Sequence, residues 1–159
     1  MTEITLEVKY IEYQKSDTLS EADNQLVIKA RESAQNAYAP YSGFRVGAAV
    51  LLGNGAIITG NNQENAAYPS GLCAERVVLF YAASQYPGVT VAAIAVSTNN
   101  PGSSVLAKPC GACRQVMAEY EDLANVPMRI ILDGDDRVII LNGIDSLLPL
   151  RFKKVDLGK

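Results

Sequence analysis

Apolar and polar positions along this chain change period several times, and each change marks an element. Ile4, Leu6, Val8 and Tyr10 alternate with Thr5, Glu7 and Lys9, the period of two that predicts a half-buried strand. Ser20, followed three residues later by Asp23, resembles a capping box and predicts a helix start. Leu26, Ala30, Ala34 and Ala37 form the apolar stripe of that helix, and Pro40 is expected to stop it. Residues 46–52 and 56–59 read as two strands joined by a Gly-Asn-Gly turn, the signature of a hairpin. Residues 74–86 (AERVVLFYAASQY) predict a helix that is apolar on nearly every side, so it is expected to be buried in the chain or in an oligomer. Strands over 89–97, 128–132 and 138–141, a helix over 112–120 and a short helix over 145–148 complete the pattern. Strand, helix, strand, helix, strand through the middle implies β-α-β crossovers with helices packed on a sheet.

Topology gives this pattern a chemical consequence. If the strand before Asn61 runs up the sheet, the helix from Ala74 runs down and the next strand runs up again. The helices starting near Cys73 and near Cys110 then begin at the same carboxyl edge, where open α/β sheets place their ligand sites. Cys110 and Cys113, three apart, can point to one centre from a first helical turn. Cys73 and Glu75, two apart, would diverge by about 200° on a regular helix. Both can face one site only if Cys73 sits at the cap. Helix N-termini beside thiols lower thiol pKa values.

Composition sharpens this reading. The chain has 159 residues, three cysteines, no histidine and a net charge of −3, with no cluster of Lys or Arg. That length suits one domain with a real core. The absence of a basic face argues against a partner bound through nucleic-acid phosphates. The N-terminus carries acids where a signal peptide needs basic residues, and no stretch approaches a membrane span. An odd number of cysteines cannot close a disulfide framework, and a reducing cytoplasmic location is expected. C-x-x-C alone fits a dithiol redox pair as well as a metal. Cys73 and Glu75 at the other helix start favour metal, since redox chemistry needs neither. Three thiolates with one open position suit a catalytic zinc, whereas a structural zinc would want a fourth protein ligand.

The segments YSGFRVGAAVL, GNNQENAAYPSGLCAER, PCGACRQVMAE and LLPLRF together resemble the small, zinc-dependent, all-cysteine cytidine deaminases, over about residues 19–152. Cys73-Ala74-Glu75 and Pro109-Cys110-Gly111-Ala112-Cys113 are similar to the cysteine form of the zinc deaminase signature. The resemblance implies a three-layer α/β/α fold with a mixed, roughly five-stranded sheet. An extra N-terminal strand within residues 1–18 would lie outside a single deaminase domain over 19–159. It implies one Zn²⁺ per chain on Cys73, Cys110 and Cys113, with Glu75 as the group that accepts and returns a proton, and Arg76 donating to the sulfurs. Phe44 against the base, Asn62 and Glu64 on the ribose hydroxyls, and the Ala74 N–H on pyrimidine O2 would bind a nucleoside. Phe152 would enter a neighbouring subunit's site in a homotetramer. The implied activity is hydrolytic deamination of cytidine and 2′-deoxycytidine in pyrimidine salvage. Alternatives are a same-fold deaminase of an aminonucleoside such as blasticidin S, a non-catalytic zinc module, or a dithiol redox protein.

Overall fold

The computed structural model describes residues 1–14, 17–99 and 105–158. Six strands and three α-helices alternate as β1 (Ile11–Gln14), α1 (Glu21–Gln35), β2 (Val46–Leu52), β3 (Ile57–Asn61), α2 (Ala74–Gln85), β4 (Val91–Thr98), α3 (Gly111–Ala124), β5 (Arg129–Asp133) and β6 (Arg137–Asn142). They form one sheet in the order β1-β6-β5-β4-β2-β3. The fold is α/β with a mixed sheet, as expected. Of these six strands only β4 and β5 pair in parallel; β2 is antiparallel to both β3 and β4. Hence β3 and β4 point the same way with β2 between them, and the chain from β3 through α2 to β4 crosses over one strand. Both helix starts therefore fall at the same sheet edge.

Side-chain alternation builds a core on each face. Ala48 and Val50 of β2, Ile94 and Val96 of β4, and Ile130 and Leu132 of β5 pack with Val78 and Leu79 of α2 and Met117 of α3. The opposite positions, Ala49, Ala93, Ala95 and Ile131, pack with Leu26, Val27 and Ala30 of α1. Small residues on this second face let α1 sit close. A Cβ at Gly47 would fall 2.0 Å from the Ala30 carbonyl oxygen, so only glycine fits there.

Three expectations need correction. Residues 1–10 adopt no regular secondary structure and are exposed; the N-terminal strand is Ile11–Gln14, an edge strand on β6. The ladder stops at Ile11 opposite Ile140, two residues before β6 itself ends at Asn142. Helix α1 ends at Gln35, ahead of Pro40, when the Asn36 N–H closes on the Ala34 and Ser33 carbonyls. Ala37, outside the helix, leads into Tyr38, which bridges to Gln63. Ser20 does cap α1 by accepting from the Asp23 N–H at 3.2 Å. The Asp23 carboxylate does not return the bond, because it is held by Arg129. Helix α2 buries Ala74, Val78, Leu79 and Ala82, but Phe80 and Tyr81 on its outer face are exposed. No helix among the described residues is long and apolar enough to cross a membrane.

Candidate active site

Cys73 is the N-cap of α2 and Cys110 the N-cap of α3, both with extended backbone (φ −69°, ψ 154°; φ −69°, ψ 170°). Neither sulfur is thus confined to a helix face, and Cys113 rises from the first turn of α3. The Cys73 and Cys110 sulfurs are 3.9 Å apart and the Cys110 and Cys113 sulfurs 3.4 Å. All three lie within 4.8 Å of one another. Tetrahedral sulfur ligands at about 2.3 Å from one ion stand about 3.8 Å apart, so the spacing fits zinc. Arg114 supports this corner by donating to the carbonyls of Pro109 and Leu147, at 2.8 Å each.

The crowding splits the thiols' proton affinities. A hydrogen bond from Cys113, with help from Arg76 and Cys110 against the effect of burial, pulls the Cys73 thiol down to about 5. Cys113 is driven upward by the same bond and by burial. Several thiolates can share so small a volume only with a cation among them, which is the chemistry of a metal-binding donor set.

Glu75 follows one residue into α2 and is 4% exposed. Burial pushes its carboxyl above the usual range, and the nearby Cys73 adds to the rise. Its own backbone N–H, the Cys113 thiol and the nearby Arg76 charge favour the carboxylate but offset this rise only in part. Arg76 reaches the Cys73 sulfur at 4.0 Å and the Gly71 carbonyl at 3.4 Å through Nη2, while its buried Nε has no partner.

A cavity of about 540 Å³ opens over this corner, with Phe44, Asn62, Glu64, Cys73, Glu75 and Cys110 on its walls. A second opening of about 500 Å³ shares Asn62, Glu64 and Cys73 and reaches Tyr41, Tyr68 and Arg76. Asn62 accepts from the Val46 N–H at 2.8 Å and donates to the Phe44 carbonyl at 3.0 Å. It thereby pins the backbone that carries Phe44. Glu64 accepts from the N–H groups of Tyr41 and Ser42, at 2.8 and 3.2 Å, and from the Ser42 hydroxyl. These bonds, the Ser42 hydroxyl first, hold its carboxyl below the ordinary value. Ala74 is buried at the first position of α2, where a helix leaves its N–H groups without intrahelical acceptors.

Phe152 stands apart. It is 58% exposed and lines neither opening, so it does not close the chain's own core. Ser42 and Arg114 escaped the sequence reading. The first is an ordinary turn residue and the second a charge after a cysteine, and their roles exist only through contacts with residues distant in the chain.

Residues 20–128 match the family model for the cytidine and deoxycytidylate deaminase zinc-binding region. The cytidine deaminase of Halalkalibacterium halodurans is 42% identical over 138 residues, covering 86% of this chain and 98% of that protein. That of Sporosarcina psychrophila is 40% identical over 135 residues, covering 84% and 93%. The crystal structure of the cytidine deaminase from Burkholderia pseudomallei aligns at a TM-score of 0.67 and 40% identity, covering 81% of this chain and 98% of that one. The matched region encloses all three thiols and the buried glutamate, and the chain belongs to the cytidine and deoxycytidylate deaminase family.

Proposed function

We propose that this enzyme hydrolyses cytidine and 2′-deoxycytidine to uridine and 2′-deoxyuridine, releasing ammonia, as a step of pyrimidine salvage. The observation that carries the reading is Glu75: a buried carboxylate on the wall of the cavity, its proton affinity raised by burial, beside the thiol cluster. Cys73, Cys110 and Cys113 would hold one Zn²⁺. The ion, when bound, is a Lewis acid that brings a water's pKa toward neutrality.

Glu75 accepts the proton that water gives up and delivers it to pyrimidine N3 as oxygen adds to C4. It then serves the amino group, which leaves as ammonia. Burial raises its proton affinity, and a group that takes and returns a proton within one turnover needs that property. The Arg76 guanidinium draws density from the sulfurs and offsets the excess negative charge of three thiolates.

Phe44 packs on the base and the Ala74 N–H donates to O2. Glu64 spends three of about four acceptor positions on Tyr41 and Ser42, which leaves one for the ribose 3′-OH. Asn62, with two bonds already made, has a second N–H for the sugar. A 3′-phosphate would meet the Glu64 carboxylate as a like charge, so free nucleosides are favoured.

Residues 19–159 would form the catalytic domain and residues 1–18 an appendage to it, in a cytoplasmic protein. The exposed Phe80 and Tyr81 face of α2 and the exposed Phe152 support a homotetramer with Phe152 entering a neighbour's site.

The test is the loss of cytidine ultraviolet absorbance with stoichiometric ammonia release, before and after chelation. Turnover that chelation stops and zinc restores supports the reading. Cytidine turnover orders of magnitude slower than that of blasticidin S would overturn it in favour of the aminonucleoside.

A further inference from the structure

The segment ahead of β1 carries a pattern that deamination does not use. Ile4, Leu6, Val8 and Tyr10 occupy every second position and are each more than half exposed. Glu7 and Lys9, two apart, approach to 3.7 Å, as same-side neighbours of an extended chain do. The matched family region begins at residue 20, so the segment lies outside it. It runs into β1, the outermost strand of the sheet, whose inner edge pairs with β6. The Gln14 N–H goes to the Asp17 carboxylate at 2.7 Å instead of to β6. By the alternation of an antiparallel ladder, even-numbered residues of β1 thus turn their backbone groups outward. An open edge continued by alternating apolar residues is a template for another strand.

The chain's own surface only partly serves as that partner. Leu6 and Val8 line one wall of a cleft of about 460 Å³ that faces Pro149, Leu150 and Arg151, yet Ile4 and Tyr10 lie outside it. Leu6 is still 59% exposed and Val8 53%.

We infer that this segment pairs antiparallel with the same segment of a second copy, about a two-fold axis at Val8. Leu6 then stands opposite Tyr10, Val8 opposite Val8, and Glu7 opposite Lys9 on both sides of the axis. The even-numbered residues, with outward backbone groups, form the hydrogen-bonded pairs, and their apolar side chains share one face. Moving the centre by one residue either way would set Glu7 against Glu7 or Lys9 against Lys9. Charge complementarity therefore selects the register, and the contact is isologous.

The experiment is sedimentation velocity over a dilution series with the zinc-loaded full chain, Glu7→Lys, Lys9→Glu, and the two variants mixed in equal amounts. Each variant alone places like charges opposite each other at both pairs, and the assembly should dissociate at roughly tenfold higher concentration. The mixture should recover the original strength, because in this register the two variants present opposite charges to each other. Separately, oxidised Val8→Cys should give a disulfide joining position 8 to position 8, identified by peptide mass. Lys9→Cys should not, since its two copies stand offset along the strands. Assembly unchanged in both single variants would overturn the inference. So would weakening without recovery in the mixture, which indicates packing within one chain, or absence of the link at position 8.

Discussion

Two buried glutamates on neighbouring helices show how one residue type is used for opposite ends. Glu121, near the end of α3, is 7% exposed. It accepts from the N–H groups of Met128 and Ile144 at 2.8 and 3.0 Å and lies 3.7 Å from the Arg151 guanidinium. Each bond ties a different segment to α3, so this carboxylate is structural. Glu75, at the start of α2, is as deeply buried but meets only its own N–H, the Cys113 thiol and the nearby Arg76 charge, and burial raises its proton affinity. Burying a carboxylate with so little compensation that its proton affinity rises costs stability, and in a cavity wall such a cost signals chemistry.

Substitution should separate the two. Glu75→Gln should lower kcat for cytidine about 10³-fold or more while the thermal midpoint holds or rises. A variant that kept activity would make Glu75 structural too. Glu121→Ala should do the reverse, losing about 3 kcal/mol in denaturant unfolding with kcat per folded molecule unchanged. Arg76→Gln tests the other charge beside Cys73. Zinc affinity in a chelator competition should fall about 10–100-fold with the fold intact. Equal affinity would reduce Arg76 to a ligand of the Gly71 carbonyl.

The smallest effect concerns a third buried carboxylate, paired and far from the site. Arg129 grips Asp23 with two 2.8 Å bonds and holds its carboxyl below the ordinary value. A depressed folded value means the pair stabilises fully above the unfolded carboxylate pKa of about 3.9, and that this is lost as pH falls through the folded value. With Arg129 41% exposed and partly screened, the contribution is about 1 kcal/mol. Asp23→Asn should be less stable at neutral pH by that amount and converge with the parent chain once the pH has fallen through the lowered folded value. Parallel stability curves across this range would mean the pair contributes nothing.

Elements with strong local signals were legible before the structure. Hydrophobic runs placed β2 at 46–52, and the Cys73 cap argument placed the start of α2. Convergence of three thiols followed from strand direction alone, because a helix after each of two like-directed strands must begin at one edge. Long-range polar pairing was not legible. Arg129 finds Asp23, and Arg31 finds Asp133, across more than a hundred residues, and no local pattern announces either. Nor did alternation at Ile4–Tyr10 say whether a backbone partner exists; the ladder on β6 closes at Ile11 opposite Ile140, and residues 1–10 join no strand among the described residues. The grip of Asn62 on the Phe44 and Val46 backbone likewise appears only in three dimensions.

The proposed chemistry requires Cys73, Cys110 and Cys113 to hold one catalytic zinc jointly. A zinc-edge X-ray absorption spectrum of the purified chain, with metal content measured on the same sample, tests it most directly. One zinc per chain is expected, with three sulfurs near 2.3 Å and one lighter atom completing the shell. A chain purified without zinc that takes up none when it is supplied, or zinc bound by fewer than three sulfurs, would contradict it.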